Sequence, residues 1–161
     1  MIEIKNTEIG FDASLFVIPE MDFDQGKVHV LLGKNGIGKS ALLNTLSGLI
    51  SPIEGSLSFD GKLLSDYSYK HLAKKIAYVR SNVKGVPFLT VDAFLLLGRY
   101  HDKNFIGKHS AEDYALIQKA KDLFGISHLA DKFTNELSSG ELHLCAIAKA
   151  YVQQTDYILL D

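Results

Sequence analysis

The chain has 161 residues, the size of one ordinary domain, and 47% of them are hydrophobic and 22% charged, as in a globular protein. The formal net charge of -2 gives no general attraction to nucleic acid, so no nucleic-acid partner is expected. The single cysteine excludes an internal disulfide, and no apolar run approaches the roughly 20 residues that a membrane-spanning helix needs. Residues Met1–Gly10 also lack the basic and apolar regions of a signal peptide.

Strands are expected in the first part of the chain. Short, alternating apolar stretches at Ile2–Lys5 and Ser14–Glu20 predict two strands, and the continuous apolar run Lys27–Gly33 predicts a strand that is buried on both faces. Turn residues surround a short strand within Ser51–Lys62, and His71–Arg80 predicts a short helix that leads into another strand. These stretches together predict a sheet.

Helices are expected in the second part of the chain, at Thr90–Arg99, Ser110–Ile126 and Ser138–Gln154. A threonine cap opens the first helix, and Ser110 with Asp113 has the spacing of a capping box at the start of the second. Cys145 lies on the apolar face of the last helix, which indicates a small core residue rather than a nucleophile. Tyr157–Asp161 then predicts a buried strand that rejoins the sheet, so the helices interrupt an α/β fold.

One stretch matches the phosphate-binding pattern G-x-x-x-x-G-K-[ST], namely Gly33, Lys34, Asn35, Gly36, Ile37, Gly38, Lys39 and Ser40. The glycines let the backbone approach a phosphate without a Cβ in the way, and the amides then form an anion nest at the positive end of the following helix. Lys39 supplies positive charge for the terminal phosphates, and the Ser40 hydroxyl is an oxygen ligand that suits Mg²⁺. The alternative is a glycine-rich turn, but the apolar run before the loop and the leucines at helical spacing after it favour a nucleotide site.

The stretch Asn135–Asp161 indicates the class of P-loop protein. It resembles the ATP-binding-cassette (ABC) family at two places. Tyr157–Asp161 is similar to the Walker B strand of that family. The signature loop of the family is similar to the residues Leu137, Ser138, Ser139, Gly140 and Glu141. The residues themselves agree, since Ser138 and Gly140 at a helix start make an anion-binding terminus and Asp161 at a strand end can hold Mg²⁺ through water. The alternative for the loop is a capped helix, with Ser138 as N-cap and Glu141 closing a capping box.

The resemblance implies an α/β fold of the P-loop NTPase (RecA-like) type, with a mixed or parallel sheet and an inserted helical subdomain. Residues 1–89 would form the nucleotide-binding core, 90–154 the helical subdomain with the signature loop, and 155–161 the Walker B strand returning to the core. The family places a catalytic glutamate directly after the Walker B aspartate and a switch histidine later. Because the sequence ends at Asp161, it is expected to be a truncated subunit without either residue.

Individual site residues follow from the same resemblance. Phe11 would stack on adenine, the alternative being a core phenylalanine on an edge strand. Residues 33–41 would hold ATP with Mg²⁺, and the signature loop would close over the nucleotide of a second copy in a head-to-tail dimer. Three positions depart from the family pattern: Ala41 replaces a usual threonine, Ser139 replaces a usual glycine, and Ser81 stands where a glutamine normally follows the strand, with Asn82 as a candidate substitute.

The segment Leu72–Asp102, with its "TVDAFLLLGR" sequence, resembles importers of iron-siderophore complexes, haem or cobalamin. That branch implies an ATPase subunit at the cytoplasmic face of the inner or plasma membrane, bound to integral membrane permease subunits. Other hypotheses remain open: a nucleotide-binding module without turnover, suggested by the missing glutamate; a soluble, non-transport cassette ATPase; and a P-loop kinase of small molecules.

Overall fold

The computed structural model describes residues 1–11, 13–102 and 109–161. They divide into two compact units, one formed by Met1–Leu72 together with Asp161 and the other by Ala73–Leu160. The division into a core at 1–89 and a helical subdomain at 90–154 stays a prediction. Within the described ranges, no helix is both long and apolar enough to cross a membrane.

The first unit contains a four-stranded antiparallel sheet in the order β2-β1-β3-β4, with bounds β1 Ile2–Gly10, β2 Ser14–Phe23, β3 Glu54–Phe59 and β4 Lys62–Leu63. The side chains of Ile2, Ile4 and Ile9 in β1 are fully buried, which makes one face of the sheet apolar. A register shift in β1 lies opposite Gly55, where an added Cβ would come 2.1 Å from the carbonyl oxygen of Asn6. Only glycine fits this close approach of two strands.

The helix that follows the phosphate loop is α1, Lys39–Leu46. Its buried side chains are Ala41, Leu42, Leu43, Thr45 and Leu46. A 3-10 turn at Leu64–Asp66 and the short helix α2, Tyr69–Lys75, come after the sheet. The apolar face of α1 thus supplies the second layer of the core in this unit.

The second unit combines a parallel pair of strands with three helices, β5 Ile76–Val79, β6 Tyr157–Leu160, α3 Val91–Leu96, α4 Ala111–Leu123 and α5 Ser139–Gln153. Further 3-10 turns lie at Leu97–Asp102, Ser127–Leu129 and Thr134–Glu136. The core of the unit includes Val91, Leu95, Ile117, Leu129, Cys145, Ala148 and Val152, all at most 3% exposed. The helices bury their apolar stripes against one another and around α5.

Local sequence signals for the helices are confirmed. Thr90 caps α3 by accepting a hydrogen bond from the amide of Ala93 at 3.3 Å. Ser110 and Asp113 form the predicted capping box of α4, each bonding the backbone amide of the other at 3.2 and 2.8 Å. Cys145 is fully buried in the core, as expected from its place on the apolar face of α5.

Two predictions about buried strands are wrong. Residues 27–32 have no regular secondary structure, and the side chains of Val28, Val30 and Leu32 are 92%, 71% and 89% exposed. A strand that is buried on both faces lies in a sheet that is covered by other elements on each face, and no described strand pairs with this run to form such a sheet. The strand β6 does form beside β5, but Ile158 and Leu160, which share one face of the strand, are 43% and 51% exposed, so the described residues cover that face only in part.

Candidate functional site

The phosphate loop is shaped by its glycines. Gly36 and Gly38 both lie in the left-handed region, with φ of 80° and 106°. An added Cβ on Gly38 would come 2.5 Å from Cε1 of Phe16, whose half-buried ring lies behind the loop. Around Gly36 no heavy atom lies within 4 Å of such a Cβ, so this side of the loop is open to a ligand. The loop therefore packs against Phe16 on one side and is accessible to a ligand on the other.

The N-terminus of α1 has the properties of an anion site. Gly38 is the N-cap residue, no side chain caps the helix, and its first turn holds no acidic residue. The first amides of a helix lack partners within it, and the helix dipole concentrates positive charge there. The chain leaves this charge without neutralisation by its own first turn, as a phosphate-binding terminus requires.

The side chain of Lys39 folds back over the loop. Its Nζ donates to the carbonyl oxygens of Gly33 at 2.8 Å and Lys34 at 2.9 Å. An ammonium group has three donors, and among the described residues these two carbonyls account for two of them. The charge is therefore held at the loop with a donor left for an anion.

The two residues predicted to bind Mg²⁺ lie together. The hydroxyl of Ser40 donates to Oδ1 of Asp161 at 2.8 Å, although the residues are 121 positions apart. Asp161 belongs to the first unit, while the strand directly before it, β6, belongs to the second. A hydroxyl and a carboxylate in contact supply the hard oxygen ligands that Mg²⁺ prefers, so the donor set fits this ion.

The structure excludes one alternative for Phe11. The residue lies in the turn between β1 and β2, and its side chain is 62% exposed. A core phenylalanine on an edge strand would be buried, so that alternative is wrong. The exposed ring keeps a face available for stacking, and the role of Phe11 in adenine binding stays a prediction.

Other predicted residues of the loop differ in exposure. Ala41 is 2% exposed and is packed in the core, whereas Ile37 is 55% exposed. Where the family usually has a threonine, the chain therefore has a methyl group on the buried face of α1 and no hydroxyl. Asn35 and Lys34 are also exposed beside the loop.

The predicted signature loop leads into α5 through a complete capping box. Oγ of Ser138 accepts from the amide of Glu141 at 3.3 Å, and Oε2 of Glu141 accepts from the amide of Ser138 at 2.8 Å and from its hydroxyl at 2.6 Å. The hydrogen bond from the Ser138 hydroxyl, and to a smaller extent the bond from the Ser138 amide, stabilise the charged carboxylate of Glu141. They hold the pKa of this carboxyl below its usual value. The capped-helix geometry is thus present.

The capping box leaves part of the loop available. Ser139 and Gly140 are exposed, and a Cβ on Gly140 would meet no heavy atom within 4 Å. Because the box uses the amides of Ser138 and Glu141, the amides at the two positions between them remain available to an anion at the start of the helix. A capping role and a phosphate-binding role are therefore compatible in this loop.

The position of the usual glutamine is also on the surface. Ser81 and Asn82 follow β5 after one intervening residue, Arg80, and both are exposed. The assignment of either as the functional replacement stays a prediction.

Sequence reasoning missed Phe16 behind Gly38. The alternation of β2 could have suggested an inward ring at this position, but its contact with the loop depends on packing between elements.

The family is shown by comparison with known proteins. The family model described as ABC transporter matches residues 18–161. The chain belongs to the ABC transporter ATPase family. An uncharacterized ABC transporter ATP-binding protein of Haemophilus influenzae is 36% identical over 163 residues, covering 100% of this chain and 62% of that protein. The ferric enterobactin transport ATP-binding protein of Escherichia coli is 33% identical, covering 88% of this chain and 52% of that protein.

A solved structure agrees with the ABC assignment. It is provisionally assigned as a metal-chelate type ABC transporter in an inward-facing conformation, and it is 30% identical with a TM-score of 0.79. The match covers 99% of this chain and 58% of the other. The chain thus spans between about half and three-fifths of the length of these ABC proteins.

Proposed function

We propose that the chain is the nucleotide-binding part of an ABC importer ATPase, which couples ATP binding and hydrolysis to uptake of an iron-siderophore, haem or cobalamin-type substrate. The observation that carries the nucleotide site is the contact of Ser40 with Asp161 at 2.8 Å, beside the uncapped N-terminus of α1. The name of the Escherichia coli relative, a ferric enterobactin transport protein, favours iron-siderophore uptake within this range.

The residues of the loop fit ATP with Mg²⁺. Gly36 and Gly38 give a surface without Cβ atoms, Lys39 supplies positive charge, and Ser40 with Asp161 supplies oxygen ligands. ATP supplies the phosphoanhydride bond whose hydrolysis drives the cycle. The contribution of these residues is to bind the phosphates, to neutralise their charge and to orient them. Phe11 would stack on the adenine.

A second copy of the chain is the proposed partner of the signature loop. The exposed start of α5, with Ser139 and Gly140 outside the capping box, has the chemistry to bind a phosphate. In a head-to-tail dimer this loop would meet the nucleotide on the partner's phosphate loop. Integral membrane permease subunits would carry the substrate, so that the ATPase acts at the cytoplasmic face of the membrane.

Titration with a fluorescent ATP analogue, with and without Mg²⁺, tests the nucleotide site. We expect saturable binding that Mg²⁺ strengthens and that Lys39→Ala weakens at least tenfold, because the substitution removes the charge at the loop. Lys70→Ala removes an exposed lysine of α2 and serves as the matched control. Equal affinity of Lys39→Ala and Lys70→Ala would contradict the proposed site. Multiple-turnover hydrolysis that Lys39→Ala abolishes would contradict the alternative of a module without turnover.

Growth of the source cells on a ferric siderophore as sole iron source tests the transport role. With the Lys39→Ala change introduced into the native gene, growth should fail on the siderophore and remain normal on an excess of simple iron salts. The Lys70→Ala strain should grow under both conditions. Normal growth of the Lys39→Ala strain on every siderophore, on haem and with limiting cobalamin would refute the importer assignment.

A further inference from the structure

Two distant segments of the second unit are joined by a short ladder. The first is the loop of residues 83–89, which follows β5 and the Ser81 position, and the second is the segment of residues 132–137, which leads into the signature loop. Thr90 and Phe133 form an antiparallel bridge, and the amide of Val91 donates to the carbonyl oxygen of Lys132 at 3.0 Å. The amide of Thr134 donates to the carbonyl oxygen of Leu89 at 2.8 Å.

The side chain of Thr134 completes this ladder. Its Oγ1 accepts from the amide of Val86 at 2.9 Å and donates to the carbonyl oxygen of the same residue at 3.0 Å. Thr134 is 1% exposed, so water does not compete for these bonds. One hydroxyl therefore satisfies both backbone groups of a residue that lies 48 positions earlier in the chain.

Gly85 allows the two segments to come this close. A Cβ at this position would lie 2.4 Å from the carbonyl oxygen of Thr134 and 2.6 Å from Cα of Asn135. Both neighbours are backbone atoms, which a side-chain rotation cannot move aside. The exposed Phe88, which has a φ of 61°, adds a contact between the same two segments, with its ring edge-on to that of Phe133 at 5.9 Å.

The ladder ends directly at the signature loop. Thr134–Glu136 form a 3-10 turn that is closed by the bond from the amide of Phe133 to Oε2 of Glu136 at 3.0 Å. Leu137 and the N-cap Ser138 follow without a break. A displacement of the 83–89 loop must therefore move the start of α5 or break the bonds of Thr134.

We propose that Thr134 is a positioning residue that joins the 83–89 loop to the signature loop, so that both move as one body. Its hydroxyl and the space at Gly85 fix where residues 137–141 begin. The consequence for a partner's nucleotide rests on the proposed function, whereas the mechanical connection rests on the contacts alone. Thr134 acts through Leu137 and Ser138 and touches no nucleotide.

Thr134→Val and Thr134→Ser separate the hydroxyl from the shape of the side chain. Valine keeps the shape but removes the partner of the Val86 amide and leaves the Val86 carbonyl only the longer bond from the amide of Leu89 at 3.4 Å, whereas serine keeps the hydroxyl. In the 161-residue chain, we expect hydrogen exchange at the amides of Ser138 and Glu141 to become about tenfold faster in Thr134→Val, the order of effect of a lost buried hydrogen bond. Thr134→Ser should stay within threefold of the wild type. The affinity for the ATP analogue should be unchanged in both variants.

Gly85→Ala perturbs the same joint from the other side and serves if Thr134→Val does not fold. The added Cβ must push residues 134 and 135 away, so exchange at Ser138 should again accelerate. Wild-type exchange at Ser138 in a folded Thr134→Val or Gly85→Ala chain would overturn the inference. The proposed function is judged separately, since it fails if the wild-type chain binds no ATP analogue, and the exchange result then still decides the role of Thr134.

Discussion

At the scale of single residues, the phosphate loop depends on positions where no side chain fits. Gly38 combines a φ of 106° with the ring of Phe16 at 2.5 Å from any added Cβ. Two separate physical costs therefore meet at one position, backbone strain and overlap with a packed ring. Lys39 and Ser40, the residues that would contact phosphate and Mg²⁺, come directly after it.

Gly38→Ala should cost about 3 kcal/mol of unfolding free energy, from strain and overpacking together. Gly61→Ala is the matched control, because Gly61 has a φ of 78° and no atom within 4 Å of an added Cβ. It should cost only about 1 kcal/mol, the strain alone. Urea denaturation of both variants measures the difference. Equal costs would show that Phe16 moves aside freely and does not shape the loop.

Cys145 should be inert in the folded protein. Its side chain is fully buried, and burial raises the pKa of its thiol to about 11. The reactive species is the thiolate, which is scarce at pH 8 under these conditions. An aromatic disulfide reagent should therefore modify Cys145 at least a hundredfold more slowly in buffer than in concentrated urea. Rapid modification of the folded chain at pH 8 would show that α5 opens locally.

At the scale of elements, local signals explain what the sequence could predict. The caps Thr90, Ser110 and Ser138 and the apolar stripes behind them predict helices because both signals lie within one element. The run Lys27–Gly33 predicts a buried strand, and this prediction is wrong, because burial of a strand depends on packing partners that its own residues do not specify.

In the candidate site, too, some residues could be predicted from the sequence and others could not. The motif places Lys39 and Ser40 together through the chain itself, and the family resemblance brought Asp161 to them from far away in sequence. The bonds of Thr134 with Val86 gave no signal, since a polar residue in an irregular segment has no periodicity to read. Tertiary contacts between irregular segments are thus the part that required a structure.

The capping box of α5 should make stability depend on pH. Because the pKa of Glu141 is lowered in the folded state, its contribution is fully present above the unfolded value of about 4.3 and is lost as the pH falls through the folded value. Glu141→Gln can still accept from the Ser138 amide but does not titrate. The difference in unfolding free energy between wild type and Glu141→Gln should therefore shrink between pH 5 and pH 3, as measured by urea denaturation. A constant difference across this range would contradict the charge-dependent cap.

At the scale of the whole molecule, one extended run combines strongly exposed apolar side chains with an unpaired backbone. Val28, Val30 and Leu32 are more than two-thirds exposed, and residues 27–32 pair with no described strand. Such a run offers both apolar side chains and backbone groups to another chain, which favours association. The net charge of -2 gives little repulsion between copies to oppose it.

Val28→Lys should therefore keep the 161-residue chain monomeric to a higher concentration than the wild type. The substitution removes a side chain that is 92% exposed, so it should change the unfolding free energy by only about 0.5 kcal/mol. Gln25→Lys adds the same charge at an exposed position nearby without removing apolar surface. Sedimentation velocity over a range of concentrations compares the three chains. If Gln25→Lys suppresses association as strongly as Val28→Lys, charge is the cause, and the apolar run does not drive association between copies.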